Sequence, residues 1–317
     1  MNKQPLFEKV AVIGLGLIGS SLCHVMKSEG LAGHIAGNAR SQATLDTALG
    51  IGFIDSAHVQ PSDAVIDADL IVLAAPVGAN AALAAAIAPG LKTGAIVTDV
   101  GSVKCAVIRD VQPHLPAGVH LVPGHPVAGT EHSGPESGFA ELFQKRFCIL
   151  TPADNTEQQA VEKVTQLWQA AGSVVEVMDA EHHDRVLAIT SHLPHLIAYT
   201  IVGTASDLEG QLREKQAGGE IEVKTADVIK FSAGGFRDFT RIASSDPVMW
   251  RDIFLNNKDA VIELLGRFIE DLTAMQRAVR WEDGDALEEK FRQTREIRRS
   301  IIEMGQAGSF KPTETED

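Results

Sequence analysis

Cysteine is scarce in this chain, and aromatic side chains are few. Three cysteines, Cys23, Cys105 and Cys148, lie far apart in 317 residues. Such spacing excludes a disulfide framework and a clustered zinc pattern, and it suits a reducing compartment, the cytoplasm. Aromatic residues make up 5% of the chain, so packing falls to small and aliphatic side chains. Positive charge is also in deficit: 28 Lys and Arg stand against 42 Asp and Glu, a formal net charge of −14. That sign argues against nucleic acid and anionic membranes as partners. It also means that anionic ligands would need cations gathered locally. No uninterrupted apolar run approaches the roughly 20 residues of a membrane helix. The polar start Met1–Lys9 reads as neither the basic leader nor the cleavage site of a secretory signal.

What is present is core-forming material: 44% hydrophobic residues at a mean hydropathy of +0.03, in a length that suits about two domains. Short apolar runs at Val10–Ile13, His34–Gly37, Leu70–Ala74, Ala95–Asp99, His120–Val122, Phe147–Leu150 and Val174–Val177 alternate with helical stretches. Most are continuous rather than alternating, as strands of a parallel sheet covered on both faces are. The expected fold is α/β, a doubly wound sheet over residues 1–179. Thr156 is the expected N-cap of one helix, with Gly172 just past its end. After Asp179 the texture turns helical, giving an all-helical domain over 180–305 and a disordered tail over 306–317. Asp246-Pro247 reads as an N-cap followed by proline at the first helical position. The apolar stripe after it, from Trp250 to Met275, is long enough that part of it is expected to be a homodimer surface. Residues 207–224 are polar and read as a mobile loop.

Gly14-Leu15-Gly16-Leu17-Ile18-Gly19 follows the first strand and opens a helix, the context that a dinucleotide-binding Rossmann turn requires. Gly14 permits the tight turn, Gly16 lets a pyrophosphate approach, and Gly19 lets helix and strand pack. About 20 residues on, where NAD sites place a carboxylate for the ribose, stands neutral Asn38, followed by Arg40 and Ser41. These can hold a 2′-phosphate, so the expected cofactor is NAD or NADP, with NADP and dual use both open. The small-residue turn at Ala75-Pro76 suits a nicotinamide lying close to the backbone.

Four further segments are dense in functional side chains: Thr98–Lys104 with Ser102, Gly124–Gly134 with His125, Thr130 and Glu131, Ser191–His195, and Gly234–Ala243 with Arg237, Asp238 and Arg241. Ser102 and His125 fall beyond carboxyl ends of strands, where open α/β sheets bind ligands. Arg237 and Arg241 lie four apart, on one face of a helix. Together with Ser245–Asp252, these segments resemble, in order, the prephenate/arogenate (cyclohexadienyl) dehydrogenase family over residues of about 10 to 300. The resemblance implies a helical dimerisation domain. It also implies that His125 contacts the ring hydroxyl of the substrate with help from Ser102, and that His195 and Arg241 hold the substrate. His182, His183 and Asp184 read as a solvated helix start rather than a metal site, and no metal is expected. His192 reads as packing or capping.

The chemistry is consistent with that resemblance. Oxidising a ring carbinol needs a base for the hydroxyl proton, and imidazole titrates near working pH. Arginine can pair bidentately with a carboxylate of a small dicarboxylate substrate. Neutral Thr130 leans toward prephenate over the ammonium-bearing arogenate, while adjacent Glu131 leaves both open. Two other readings stand: a different hydroxyacid dehydrogenase built from the same two domain types, and a non-catalytic dinucleotide sensor.

Overall fold

The computed structural model describes residues 4–130, 132–217 and 234–301. In it β1 (Phe7–Ile13), β2 (Ala32–Asn38), β3 (Ser56–His58), β4 (Leu70–Leu73), β5 (Ile96–Asp99) and β6 (His120–Val122) form a parallel sheet in the order β3-β2-β1-β4-β5-β6. Ile13 pairs with Asn38 on one side and Leu73 on the other, which aligns three carboxyl ends. The order reverses between β1 and β4, the point at which such sheets bind ligands. Helices α1 (Leu17–Ser28), α2 (Gln42–Ile51) and α6 (Gln158–Ala170) cover one face through Val10, Val12, Leu22, Leu45 and Trp168. The one-turn α3 (Pro61–Ala64), α4 (Asn80–Ile87) and α5 (Lys104–Val111) cover the other through Ala11, Ile13, Ile71, Ile87 and Val107. Burial on both faces is why these strands read as unbroken apolar runs.

Two of the apolar runs leave the parallel sheet. The strands β8 (Phe147–Leu150) and β9 (Val174–Val177) join β7 (Gly124–Pro126) in a second sheet, ordered β7-β8-β9, with β7 antiparallel to β8. Gly124-His125-Pro126 contains two residues that usually break strands. It is an edge strand, where a missing N–H is tolerated, and His125 faces Ile149 in its register.

The expected cap of α6 is also corrected. The helix starts at Gln158 with Glu157 as N-cap and no side-chain cap bond. The Thr156 N–H closes a turn onto Ala153, and Glu157 pairs with His120 at 2.9 Å instead. Gly172 follows the helix at φ +85°.

After β9 every described element is helical: α7 (Ala180–Leu187), α8 (Leu193–Ala217), α9 (Gly234–Thr240), α10 (Pro247–Asn256), α11 (Lys258–Arg280) and α12 (Gly284–Ile301). One π turn, Ala188–His192, joins α7 to α8. Pro194 explains it, since proline has no N–H for the carbonyl four residues back. Asp246 accepts the Met249 N–H at 2.8 Å, as its cap position requires. The loop expected from residue 207 is helical to Ala217; its Leu, Glu, Gln, Lys and Arg residues are good helix formers. Residues 218–224 and the tail 306–317 lie outside the described residues.

The stretch Ala180–Leu208 is long and apolar enough, by length and composition, to cross a membrane. The sequence reading missed it because polar Thr190, Ser191, His192 and His195 interrupt the run. A helix with a packed side passes the same test, and His183, Asp184, Leu187, His192, Leu193 and Ala198 are buried.

By contacts the chain divides into two compact units, residues 1–261 and 262–317. The stripe read from Trp250 onward divides with it. Trp250, Ile253 and Val261 are buried within the first unit, while Ile262, Ile269, Leu272 and Val279 in the second are exposed.

Candidate active site

The glycine turn has the shape its sequence promised. Gly14 sits at φ +106°, and a Cβ there would lie 2.6 Å from the Ala74 carbonyl oxygen. A Cβ on Gly19 would collide with the Gly14 carbonyl oxygen, whereas one on Gly16 would meet open space. The helix α1 begins next to that open face, with no side-chain cap and no acidic residue in its first turn. Its first N–H groups and positive end therefore remain available to a pyrophosphate. Leu15 and Leu17 are buried and Ile18 is half-buried, so this cradle offers backbone only. Ala75 and Pro76 follow β4 in the turn that Gly14 touches.

Asn38 ends β2 but does not present its amide nitrogen to a ligand. The amide nitrogen donates to the carbonyls of His58 (2.9 Å) and Val59 (3.0 Å), and the residue is buried. Arg40 is exposed, and Ser41 is the N-cap of α2 with no side-chain cap bond. A cation and a hydroxyl thus stand beside an uncapped helix start.

His125 is held from two directions. Its Nδ1 lies 2.8 Å from His183 Nε2, and His183 Nδ1 lies 2.8 Å from the Asp184 carboxylate. That carboxylate also accepts the N–H groups of Lys104 (2.7 Å) and Cys105 (2.9 Å), capping the start of α5. Burial pushes the Asp184 carboxyl up, but the His183 bond and the two N–H groups outweigh it, and the group sits below the usual carboxylate range. An ionised Asp184 accepts a hydrogen bond from the Nδ1–H of His183, and Nε2 of the neutral His183 ring is then an acceptor. His125 must donate Nδ1–H to it, which leaves the lone pair of His125 Nε2 free. Burial first, then the charges of His183, Lys104 and His192, hold His125 well below its ordinary pKa. It is a neutral base at neutral pH.

From the other side, the fully buried Lys104 ammonium bonds Asp99 and the Gly124 carbonyl, each at 2.5 Å. Asp99 accepts the N–H groups of Gly101 (2.7 Å) and Gly124 (3.1 Å). One ion pair therefore ties the residue before Ser102 to the residue before His125. Burial lowers the Lys104 pKa, against the pull of Asp99 and Asp184. Half-buried Ser102 lies in the bend ahead of α5.

His195 stacks on Trp250, with ring centroids 3.6 Å apart at 22°. Its Nδ1–H donates to the Ser191 carbonyl at 2.9 Å, so Nε2 is its free acceptor. Burial lowers its pKa, the Ser191 bond opposes this, and the charge of Arg241 adds to the lowering. His195 and Arg241 are thus brought together. The expected helical pairing of Arg237 with Arg241 is corrected, because α9 stops at Thr240 and Arg241 opens a 3₁₀ turn. Thr130 is exposed, and its hydroxyl accepts the His132 N–H at 3.3 Å. Glu131 lies outside the described residues.

Sequence reasoning missed Asp99, Lys104, His183, Asp184 and Asn257. The reading of His183 and Asp184 as solvated is corrected: both are buried. A signal existed, since Leu187 and Ala188 follow them by four residues, on the same helix face. Among the described residues no group of three or more His, Cys, Asp or Glu side chains is placed to hold a metal ion.

Residues 22–177 match the family model described as the prephenate dehydrogenase nucleotide-binding domain, and residues 179–293 the one described as its dimerization domain. A cyclohexadienyl dehydrogenase of Zymomonas mobilis is 41% identical over 296 residues, 93% of this chain and 97% of that protein. The chain belongs to the prephenate dehydrogenase family. A prephenate dehydrogenase of Bacillus subtilis is 33% identical over 92% of this chain and 75% of its own length. A crystal structure of Aquifex aeolicus prephenate dehydrogenase, in complex with hydroxyphenyl propionate and NAD+, superposes with a TM-score of 0.83 at 32% identity, covering 94% of this chain and all of that one. Membership makes the chain an oxidoreductase with a nucleotide-binding half. The match to the nucleotide-binding domain starts after Gly19, so the assignment of the glycine turn stands on its own geometry.

Proposed function

We propose that this protein oxidises and decarboxylates prephenate with NAD(P) on the route to tyrosine, with arogenate as second substrate. The observation that carries the reading is the Asp184–His183–His125 chain, which leaves one imidazole lone pair free beyond the carboxyl end of the sheet. His125 Nε2 takes the proton of the ring hydroxyl, and Ser102 helps to direct that oxygen. A bound dinucleotide supplies the acceptor for the hydride that leaves the carbinol carbon. The bond to the ring carboxylate then breaks, carbon dioxide departs, and its electron pair completes the aromatic ring as a phenolate, which takes the proton back from His125. Aromatisation drives that step, so the protein need only position the substrate and shuttle one proton. Arg241, His195 and Thr130 hold the dicarboxylate, and Glu131 serves the ammonium of arogenate.

Three finer assignments belong to the same proposal. NADP is favoured, because Arg40, Ser41 and the start of α2 suit a 2′-phosphate and no carboxylate stands there to repel it. Residues 1–179 form the dinucleotide half and 180–305 the substrate half, which pairs as a homodimer through apolar surface such as Ile262, Ile269 and Leu272. The enzyme works in the cytoplasm with its cysteines as thiols, without nucleic acid or membrane partners.

The test is steady-state kinetics on prephenate or arogenate with NAD or NADP, with carbon dioxide captured alongside. We expect one carbon dioxide per reduced cofactor and the highest kcat/KM with prephenate. Cofactor reduction without carbon dioxide would indicate another alcohol dehydrogenase, and no reduction would leave a dinucleotide sensor.

A further inference from the structure

His192 is fully buried at the end of the π turn, yet one of its ring nitrogens has no partner. Its other nitrogen, Nδ1, lies 3.1 Å from the amide nitrogen of Asn257. The same amide nitrogen lies 2.8 Å from the Asp184 carbonyl oxygen, which can only accept, so the orientation of the Asn257 amide is settled. The amide spends one N–H on that carbonyl and the other on His192 Nδ1. His192 Nδ1 is therefore an acceptor, and the neutral ring carries its proton on Nε2, the nitrogen left without a partner. Buried donors are nearly always paired in native proteins.

His192 lies within electrostatic reach of His125, His183 and His195, and it meets Trp250 edge-on at 6.1 Å between ring centroids. Beside the free acceptor of His195, the cluster therefore holds two imidazole nitrogens of opposite character: an acceptor on His125 and a donor on His192. An alcohol needs that pair, an acceptor for its proton and a donor for its oxygen. We propose that His192 is a further substrate-contacting residue, donating Nε2–H to the same ring oxygen that His125 deprotonates. The bond survives the reaction, because the oxygen remains an acceptor as hydroxyl, carbonyl and phenol. Asn257 is a positioning residue that fixes the tautomer. This assignment rests on the dehydrogenase reading given above.

Two ligands shaped like the product test it, 3-(4-hydroxyphenyl)propionate and 3-phenylpropionate, which differ only in that oxygen. Affinities are measured by calorimetry with dinucleotide present. His192→Phe keeps a ring but has no donor, while His192→Gln keeps an N–H. We expect His192→Phe to lose about tenfold of the preference for the hydroxylated ligand, and His192→Gln to keep most of it. We also expect kcat to fall about 10²-fold in His192→Phe with a smaller change in KM. Equal loss of affinity for both ligands would mean packing only, and an intact preference would mean that the proton faces an internal water. Either result overturns the proposal.

Nitrogen NMR on the wild-type protein carrying 15N-histidine provides a reading that needs no variant to fold. His192 should carry its proton on Nε2, and that signal should shift with the hydroxylated ligand alone. A proton on Nδ1, or equal shifts with both ligands, also overturns it. Wild-type protein that binds both ligands but oxidises neither prephenate nor arogenate would sink the reaction reading. Full turnover without the oxygen preference would sink only the role of His192.

Discussion

Asp184→Asn is the most informative single change, because one carboxylate performs two separable tasks. It accepts the N–H groups of Lys104 and Cys105 at the start of α5 and, through His183, sets the tautomer of His125. An amide has one oxygen where the carboxylate has two. If that oxygen faces Lys104 and His183, the Cys105 N–H is opposed by an NH2 group. If it faces Cys105, the amide donates to His183 Nδ1, and the Nε2 proton of His183 passes to the His125 contact. His125 would then carry its own proton on Nε2 and could not act as a base. Losing a charge-assisted bond and leaving a buried donor unpaired should cost about 2–4 kcal/mol of stability. Population of the wrong tautomer should lower kcat about 10²-fold, toward the loss expected for removing the base itself. Urea unfolding gives the first quantity and single-turnover kinetics at pH 7.5 the second. A stability loss with kcat unchanged within about twofold would refute the tautomer chain and leave Asp184 as a helix cap. A variant as stable and as active as wild type would refute both halves.

Other changes probe neighbouring parts of the site. His125→Asn should lower kcat by about 10²–10⁴-fold while dinucleotide affinity stays near wild type; titration of the cofactor and steady-state rates check the two halves separately. Arg40→Gln should weaken NADP about tenfold or more with little effect on NAD, as measured by fluorescence titration. Arg40 is a cleaner probe than Asn38, because Asn38→Asp would set a carboxylate against the His58 and Val59 carbonyls that the amide now bonds. Burial holds His192 at about 4 against an ordinary 6.5. The unfolded chain takes its proton near 6.5 and the native one only near 4, so stability is full above 6.5 and falls as pH drops, by on the order of 3 kcal/mol at the acid end. Urea midpoints at pH 7.5, 6 and 5 test this, and a midpoint independent of pH would contradict it. For the same reason the acid limb of kcat/KM should lie below 6.5, where His125 at last accepts a proton.

The legible parts of the fold were those set by short-range chemistry. Gly14 and Gly19 could be read because a tight turn and a close helix leave no room for a Cβ. Asp246 could be read because a cap needs only its own next three residues. β7 could not, because its pairing partner β8 lies more than twenty residues away and its own Gly-His-Pro has no strand signature. His125 was recognisable through its motif, whereas its partners were not. His183 and Asp184 are adjacent in sequence and look like a polar helix start, and only the packing of α7 against α5 shows that they are buried. Lys104 was visible as a residue but not as a buried cation, because nothing local announces that the matching Asp99 points inward.

An acidic chain that handles anions needs local cations, and their placement decides more than attraction. Lys104 is matched by Asp99, so it adds little net field at a distance, but it lies close enough to His125 to disfavour a second positive charge there. Arg241 does the same to His195. His125 and His195 are thus each kept neutral by a nearby cation as well as by burial, and each keeps a lone pair that protonation would remove. A dianionic substrate reverses that balance on arrival, since its negative charge offsets the cations and makes His125 a stronger proton acceptor. The base is then weakest in the empty site, where a proton would block it, and strongest when there is a hydroxyl to deprotonate.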